Sequence, residues 1–314
     1  MRLSPQRLFP RLLRALFPQA SSNVLLGDKF ELPPVSMPVS AVRFVRKMRG
    51  GAQAHMLEAD DGNFYIVKFQ NNLQHRRILV NEAIASEILA QLEIASPPAS
   101  LVAVSPGFLA ANLDVYLQAG ARRIEIEPGW AFGSRHPGNP DVMGVYDFVP
   151  DALLHQVANI EQFLGALVFD RWVANADGRQ SIFFRAQLKD WLARPGIPPR
   201  KLGFVALMID HGFVFNGPHW ELPESAIQGL YGRRVVYQNV TSLNDFEPWL
   251  SRVLNFPADV LDRALRRLPP EWVREDAAAL EKLLEALLRR RKRIADLIEI
   301  CRRAPGNPFP RWSG

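Results

Sequence analysis

Phe169-Asp-Arg-Trp-Val-Ala-Asn-Ala-Asp-Gly-Arg-Gln180 and Leu207-Met-Ile-Asp-His-Gly212 each place one aspartate where an apolar segment ends. Phe163, Leu164, Leu167, Val168 and Trp172 recur at helical spacing before the first, so a buried helix over 160–173 delivers the chain to Asn175-Ala-Asp177. The second follows an apolar strand over 203–209, and Gly212 lets the backbone turn sharply after Asp210. Strand-like Ser181-Ile-Phe-Phe184 lies between them, followed by a polar loop holding Pro195, Pro198 and Pro199.

Upstream, Ala41-Val-Arg-Phe-Val-Arg-Lys47 alternates as a half-buried strand does. A turn at Gly50-Gly51, a second strand, the hairpin turn Asp60-Asp-Gly-Asn63 and the strand Phe64-Tyr-Ile-Val-Lys-Phe69 complete a meander. Lys68 stands among apolar neighbours, where a charge is costly unless it meets a counter-charge. The helix expected over 78–92 offers Glu82 and Glu87. Five positions apart, they point roughly 140° away from each other around the helix, so only one can face the lysine, and Glu82 is the better candidate.

Further strands are expected at 101–104, 115–117 and 144–149, with the Gly/Pro-rich stretch Pro128 to Pro140 as an irregular loop. Asp147, Phe148 and Val149 then sit at a hinge where an adenine ring would meet backbone groups. Beyond residue 240 the pattern is helical: 246–254, 258–268, and 277–301, whose leucines share one face before the run Arg289 to Arg293. That run reads as a solvated helix face.

The chain has 314 residues, 48% of them hydrophobic, enough for one large core or two lobes and unlike a disordered or fibrous sequence. Its single cysteine, Cys301, excludes an internal disulfide and suits a reducing cytoplasm. A net charge of +6 fits an anionic partner without choosing among nucleotide, nucleic acid and membrane surface. Much of the excess lies in Arg2, Arg7, Arg11 and Arg14 and in the 289–293 run. The first 17 residues hold no apolar run of signal-peptide or membrane-span length, and Pro5 and Pro10 interrupt their amphipathic pattern. There is no Gly-x-Ser-x-Gly elbow, Walker lysine or zinc spacing.

The shared order of Tyr65-Ile-Val-Lys-Phe69, Asn81-Glu82, Phe169-Asp170 through Asn175-Ala-Asp177, and Ile209-Asp-His-Gly212 resembles the HipA-like kinases, relatives of the phosphatidylinositol kinases and, more distantly, of protein kinases. It runs from residue 40 to residue 235. The resemblance implies an α+β, two-lobed protein-kinase-like fold: a basic extension over 1–37, a β-rich N-lobe over 38–145 that binds ATP, and a mostly helical C-lobe over 146–314. It implies Mg2+ and ATP as cofactors and a Ser or Thr hydroxyl of a protein as acceptor. Lys68 would contact the phosphates and Glu82 orient it, Gly50 and Gly51 would approach them, Asp177 would accept the hydroxyl proton, and Asp210 would bind magnesium.

Relatives carry an asparagine, the second metal ligand, five residues after the catalytic aspartate; here Ile182 stands there, and Gln180 is the substitute amide. This departure keeps a nucleotide-binding pseudokinase in view beside the active kinase. A small-molecule or lipid kinase of the same fold and a nucleic-acid-binding protein are the other readings. HipA-like proteins often act beside an antitoxin, a partner that no feature of this chain shows.

Overall fold

A closed five-stranded barrel in the order β1-β2-β3-β7-β4 forms the N-terminal part of the chain. In the computed structural model, which describes residues 37–192 and 196–312, its strands are β1 (Val39–Lys47), β2 (His55–Ala59), β3 (Phe64–Lys68), β4 (Ala99–Val104) and β7 (Gly129–Arg135). The expected meander is present: β1 pairs with β2 and β2 with β3, both antiparallel. Parallel pairing of Val39 with Val102 and Ser40 with Ala103 closes the barrel. Alternation along β4 sends Val102 and Val104 inward against Leu57, Tyr65 and Val67, and the hairpin β5 (Tyr116–Ala119) and β6 (Arg122–Glu125) adds Leu117 to the same core. The segment 1–36 of the expected basic extension, with its four arginines, lies outside the described residues, as does Pro195.

The stretch expected as an irregular loop over 128–140 contains β7, which lies between β3 and β4 in the sheet. Its glycines suggested a loop, but Gly133 serves close packing: a Cβ there would come 2.5 Å from Val102 Cγ2. Trp130 and Phe132 flank buried Ala131, and Phe132 is itself buried.

Helix Arg77–Gln91 follows β3 and is buried over most of its circumference. Beyond β7 the architecture turns mostly helical, interrupted by the antiparallel sheet β8 (Val145–Tyr146), β9 (Gln180–Gln187) and β10 (Leu202–Ile209), ordered β10-β9-β8. Helix Gln162–Trp172 is almost wholly enclosed by the helices Trp249–Leu254, Ala277–Arg290 and Ile294–Arg303 and the segments between them. Helices Ala258–Arg267 and Pro270–Val273 press on helix Arg77–Gln91. Ion pairs Arg77–Asp276 and Arg267–Glu87 reinforce that contact, and Arg252 Nη1 donates to Leu92 O at 2.7 Å.

The segment expected as one helix over 277–301 is two, separated by a 3-10 turn at Arg291–Arg293. The arginine run is also not simply a solvated face. Arg290 reaches inward to Leu222 O at 2.6 Å and Pro223 O at 3.1 Å, and Arg291 donates to Phe256 O at 2.6 Å. Backbone carbonyls that would be stranded in the core take these donors, and that favours the break over a continuous helix. Among the described residues no helix is long and apolar enough to cross a membrane.

Candidate active site

Lys68 ends β3, buried to 7% exposure, and its ammonium finds two carboxylates. Nζ lies 2.5 Å from Glu82 Oε1 and 2.7 Å from Asp210 Oδ1. Glu87, the other glutamate of the helix, instead meets Arg267. Burial works against the ammonium, but the charges of Glu82 and Asp210 outweigh it and hold Lys68 protonated. Burial pushes the Glu82 carboxyl up, Lys68 opposes and the charge of Asp210 adds to the rise. For Asp210 burial acts upward too, yet Lys68 prevails and holds its carboxyl below the ordinary range.

Helix Arg77–Gln91 is fastened beside Asp210 by Asn81. Its Nδ2 faces the carbonyls of Gly212 at 2.7 Å and of Val214 and Gly217 at 3.0 Å, and its Oδ1 accepts from Trp220 Nε1 at 2.8 Å. Gly212 permits this approach, since a Cβ would stand 2.6 Å from Ile78 Cγ2. Asp210 itself adopts φ +56°, a left-handed conformation uncommon for a residue other than glycine.

Asp177 is exposed on the loop that follows helix Gln162–Trp172. Asn175, fully buried, bridges this loop: Nδ2 donates to Asp170 Oδ1 at 2.9 Å, and Oδ1 accepts from Asp177 N at 3.2 Å. Asp177 Oδ1 accepts from Gly178 N at 2.8 Å, and Gln180 Nε2 donates to Oδ2 at 3.2 Å.

Arg179 is the residue that unites the two aspartate segments. Its guanidinium engages both oxygens of buried Asp170, with Nε to Oδ2 at 2.8 Å. Nη1 donates to Ile209 O at 2.8 Å and to His211 Nδ1 at 3.0 Å. An arginine can only donate, so His211 Nδ1 accepts, and Nε2–H faces Met208 O at 3.2 Å. Burial, then Arg179, pushes His211 well below its ordinary range and keeps it neutral. His211 and His55 are both buried packing histidines. The only sequence sign of Arg179's role was a charge beside an apolar strand.

These groups open on a cavity of about 490 Å3. Lys68, Glu82, Asp177, Gln180 and Asp210 line one part, Met56, Ile66, Phe132, Ile182 and Phe213 contribute apolar surface, and Gly50 and Gly51 lie at its edge. Gly50 adopts φ +114°, a conformation that favours glycine. Asp147 reaches the cavity, whereas Phe148 and Val149 are not among its lining residues. Phe148 is 61% exposed beneath the Arg233 guanidinium, and Val149 is buried in the main core. Ser134, Arg135, His136 and Pro137, at the end of β7, line it instead.

No cluster of three or more His, Cys, Asp or Glu side chains that would hold a metal by themselves occurs among the described residues. The donor set still fits magnesium, which is commonly held by one or two carboxylates together with water and substrate phosphates. Asp210 supplies a carboxylate and Gln180 an amide oxygen at the same cavity.

A lysine fixed between carboxylates, beside a separate exposed aspartate and an apolar recess, is the kind of site that handles nucleotide phosphates. Residues 41–183 match the model of the HipA-like kinases, so the resemblance carried by Lys68, Glu82 and Asp177 is shown over that stretch. No curated protein matches the chain. Similar solved structures include the crystal structure of the Golgi casein kinase with Mn/ADP bound, at 12% identity and TM-score 0.44, covering 87% of this chain and 74% of that one. Another is a crystal structure of the Golgi casein kinase, also at 12% and 0.44, covering 88% and 77%.

Proposed function

We propose that this protein is a two-lobed, HipA-like, ATP-dependent kinase that transfers the γ-phosphoryl group of Mg-ATP to a hydroxyl, with Ser or Thr of a protein as the acceptor. The observation that carries this reading is the placement of Lys68 between Glu82 and Asp210 in the cavity that Asp177 also lines. The family match over residues 41–183 supports it.

In this reading the apolar recess takes the base, and Lys68, held charged and oriented by Glu82, binds phosphate oxygens. Asp177 accepts the proton from the attacking hydroxyl, and its exposure suits an acceptor arriving from solvent. Magnesium, held by Asp210 and Gln180, would neutralise charge on the phosphates. Arg179 and Asn175 keep the two aspartate segments in register, so positioning and electrostatics are supplied before the substrate arrives.

Ile182 favours a second reading, nucleotide binding with little turnover, because an apolar side chain lines the cavity where relatives carry a metal-binding asparagine. Incubation with labelled ATP and magnesium, alone and with a lysate, separates the two. The kinase reading expects label on a Ser or Thr, lost in Asp177→Asn and Asp210→Asn. Nucleotide binding without any label in the wild type overturns it and leaves the second reading standing.

A further inference from the structure

The end of β7 offers a base almost no backbone donors. Ser134 sits in ladders on both sides, opposite Ile66 and Ala99. Arg135 N–H donates to Pro98 O at 2.9 Å and His136 N–H to Phe64 O at 2.7 Å. Pro137 has no N–H, so Gly138 N–H, 3.5 Å from His136 Nδ1, is the next backbone donor along the chain. The exocyclic amine of a purine entering beside these residues needs an acceptor.

His136 lines the cavity, and its tautomer follows from its partner. Nδ1 lies 2.6 Å from Gly138 O, and a carbonyl can only accept, so the proton is on Nδ1. Nε2 is left with a lone pair and has no hydrogen-bond partner among the described residues. Burial, opposed by the bond to Gly138 and assisted by the charge of Arg46, pushes the ring below its ordinary range, so the neutral form persists near pH 7.

We propose that His136 Nε2 is the acceptor that reads the exocyclic amine of the nucleotide base, making His136 the residue that selects adenine over guanine. Adenine presents an amine donor where guanine presents the O6 acceptor. Guanine in the same pose would set O6 against the imidazole lone pair. The inference rests on the ATP reading above.

The test titrates the full chain with fluorescent ribose-labelled ATP and GTP in the presence of magnesium. Wild type is expected to bind ATP about tenfold or more tighter than GTP, in line with the loss of one hydrogen bond and the clash replacing it. His136→Leu should weaken ATP about tenfold and leave GTP nearly unchanged, so the preference collapses. His136→Gln, whose amide can present either an oxygen or an NH2, should retain ATP binding and gain GTP binding; it decides the matter if the leucine variant does not fold. An unaltered preference in His136→Gln, or equal binding of both nucleotides by wild type, overturns this inference while leaving nucleotide binding in place. Binding of neither nucleotide by wild type overturns the ATP reading and this inference together.

Discussion

Lys68 Nζ and Asp210 Oδ1 stand 2.7 Å apart although 142 positions separate them in the chain. The contact joins the last residue of a barrel strand to the residue that follows β10, so the lysine and the carboxylate are set by one arrangement.

Lys68→Met should therefore destabilise the fold as well as remove phosphate binding. It leaves fully buried Glu82 facing Asp210 with no cation between them, a loss of about 3 kcal/mol for a broken buried pair. Urea unfolding should show a lower midpoint at unchanged slope, and adding Glu82→Leu should restore part of the difference.

Arg179→Ala should be more damaging than removal of any exposed arginine. Asp170 lies at 0% exposure and would lose its counter-charge, keeping only Asn175 as a side-chain partner, a cost of about 3–5 kcal/mol. A double-mutant cycle with Asp170→Asn should return a coupling of about 1–3 kcal/mol, whereas additivity would mean that the pair does not hold the loop.

Gly165→Ala tests the packing of helix Gln162–Trp172. An added Cβ would stand 2.4 Å from Trp249 Cε2, so overpacking should cost about 1–3 kcal/mol. Gly178→Ala is the control. The nearest atom is Leu230 O at 3.5 Å, and its thermal midpoint should stay close to that of the wild type.

Acid should weaken the barrel before the carboxylates titrate. Burial pushes His55 down to about 4 from 6.5, against its bond to Gln53 O at 2.9 Å. Between these values the unfolded chain binds more protons than the folded one, so stability rises with pH across pH 4–6.5 and is lost as pH falls through that window. Denaturation at a series of pH values should show a decline on the order of 1–3 kcal/mol, shared with His211, which moves in the same direction. Buried Glu82 and Asp170, whose carboxyls burial pushes up, act in the opposite direction, so the check is His55→Gln: its decline over pH 4–6.5 should be shallower than that of the wild type, and an unchanged decline would contradict the buried neutral form of His55.

Much of the barrel and the helix after it was legible because their signals are local. Alternation along β1 and β3, the Asp60-Asp-Gly-Asn63 turn and the apolar spacing of helix Arg77–Gln91 depend on residues a few positions apart. Helical geometry allowed only one of Glu82 and Glu87 to face Lys68, and the contact is made by Glu82, the expected one. β7 was not legible, since Gly129 and Gly133 resemble loop residues until Val102 and Tyr65 are seen against Gly133. The same holds for the break at Arg291–Arg293, where carbonyls of Phe256, Leu222 and Pro223 draw in side chains that otherwise read as surface charge.

By itself, then, the sequence determined that Lys68 lies on a strand, Glu82 on a helix, and Asp177 and Asp210 where apolar segments end, because each residue's nearest structural element can be read from short-range pattern. Tertiary structure alone decided that Arg179 would tie Asp170 to the end of β10, that Phe148 and Val149 would lie outside the cavity, and that His136 would line it. Those outcomes depend on which backbone donors and charges meet at close range after packing, and no periodicity along the chain encodes a contact between strands brought together only by the closed barrel.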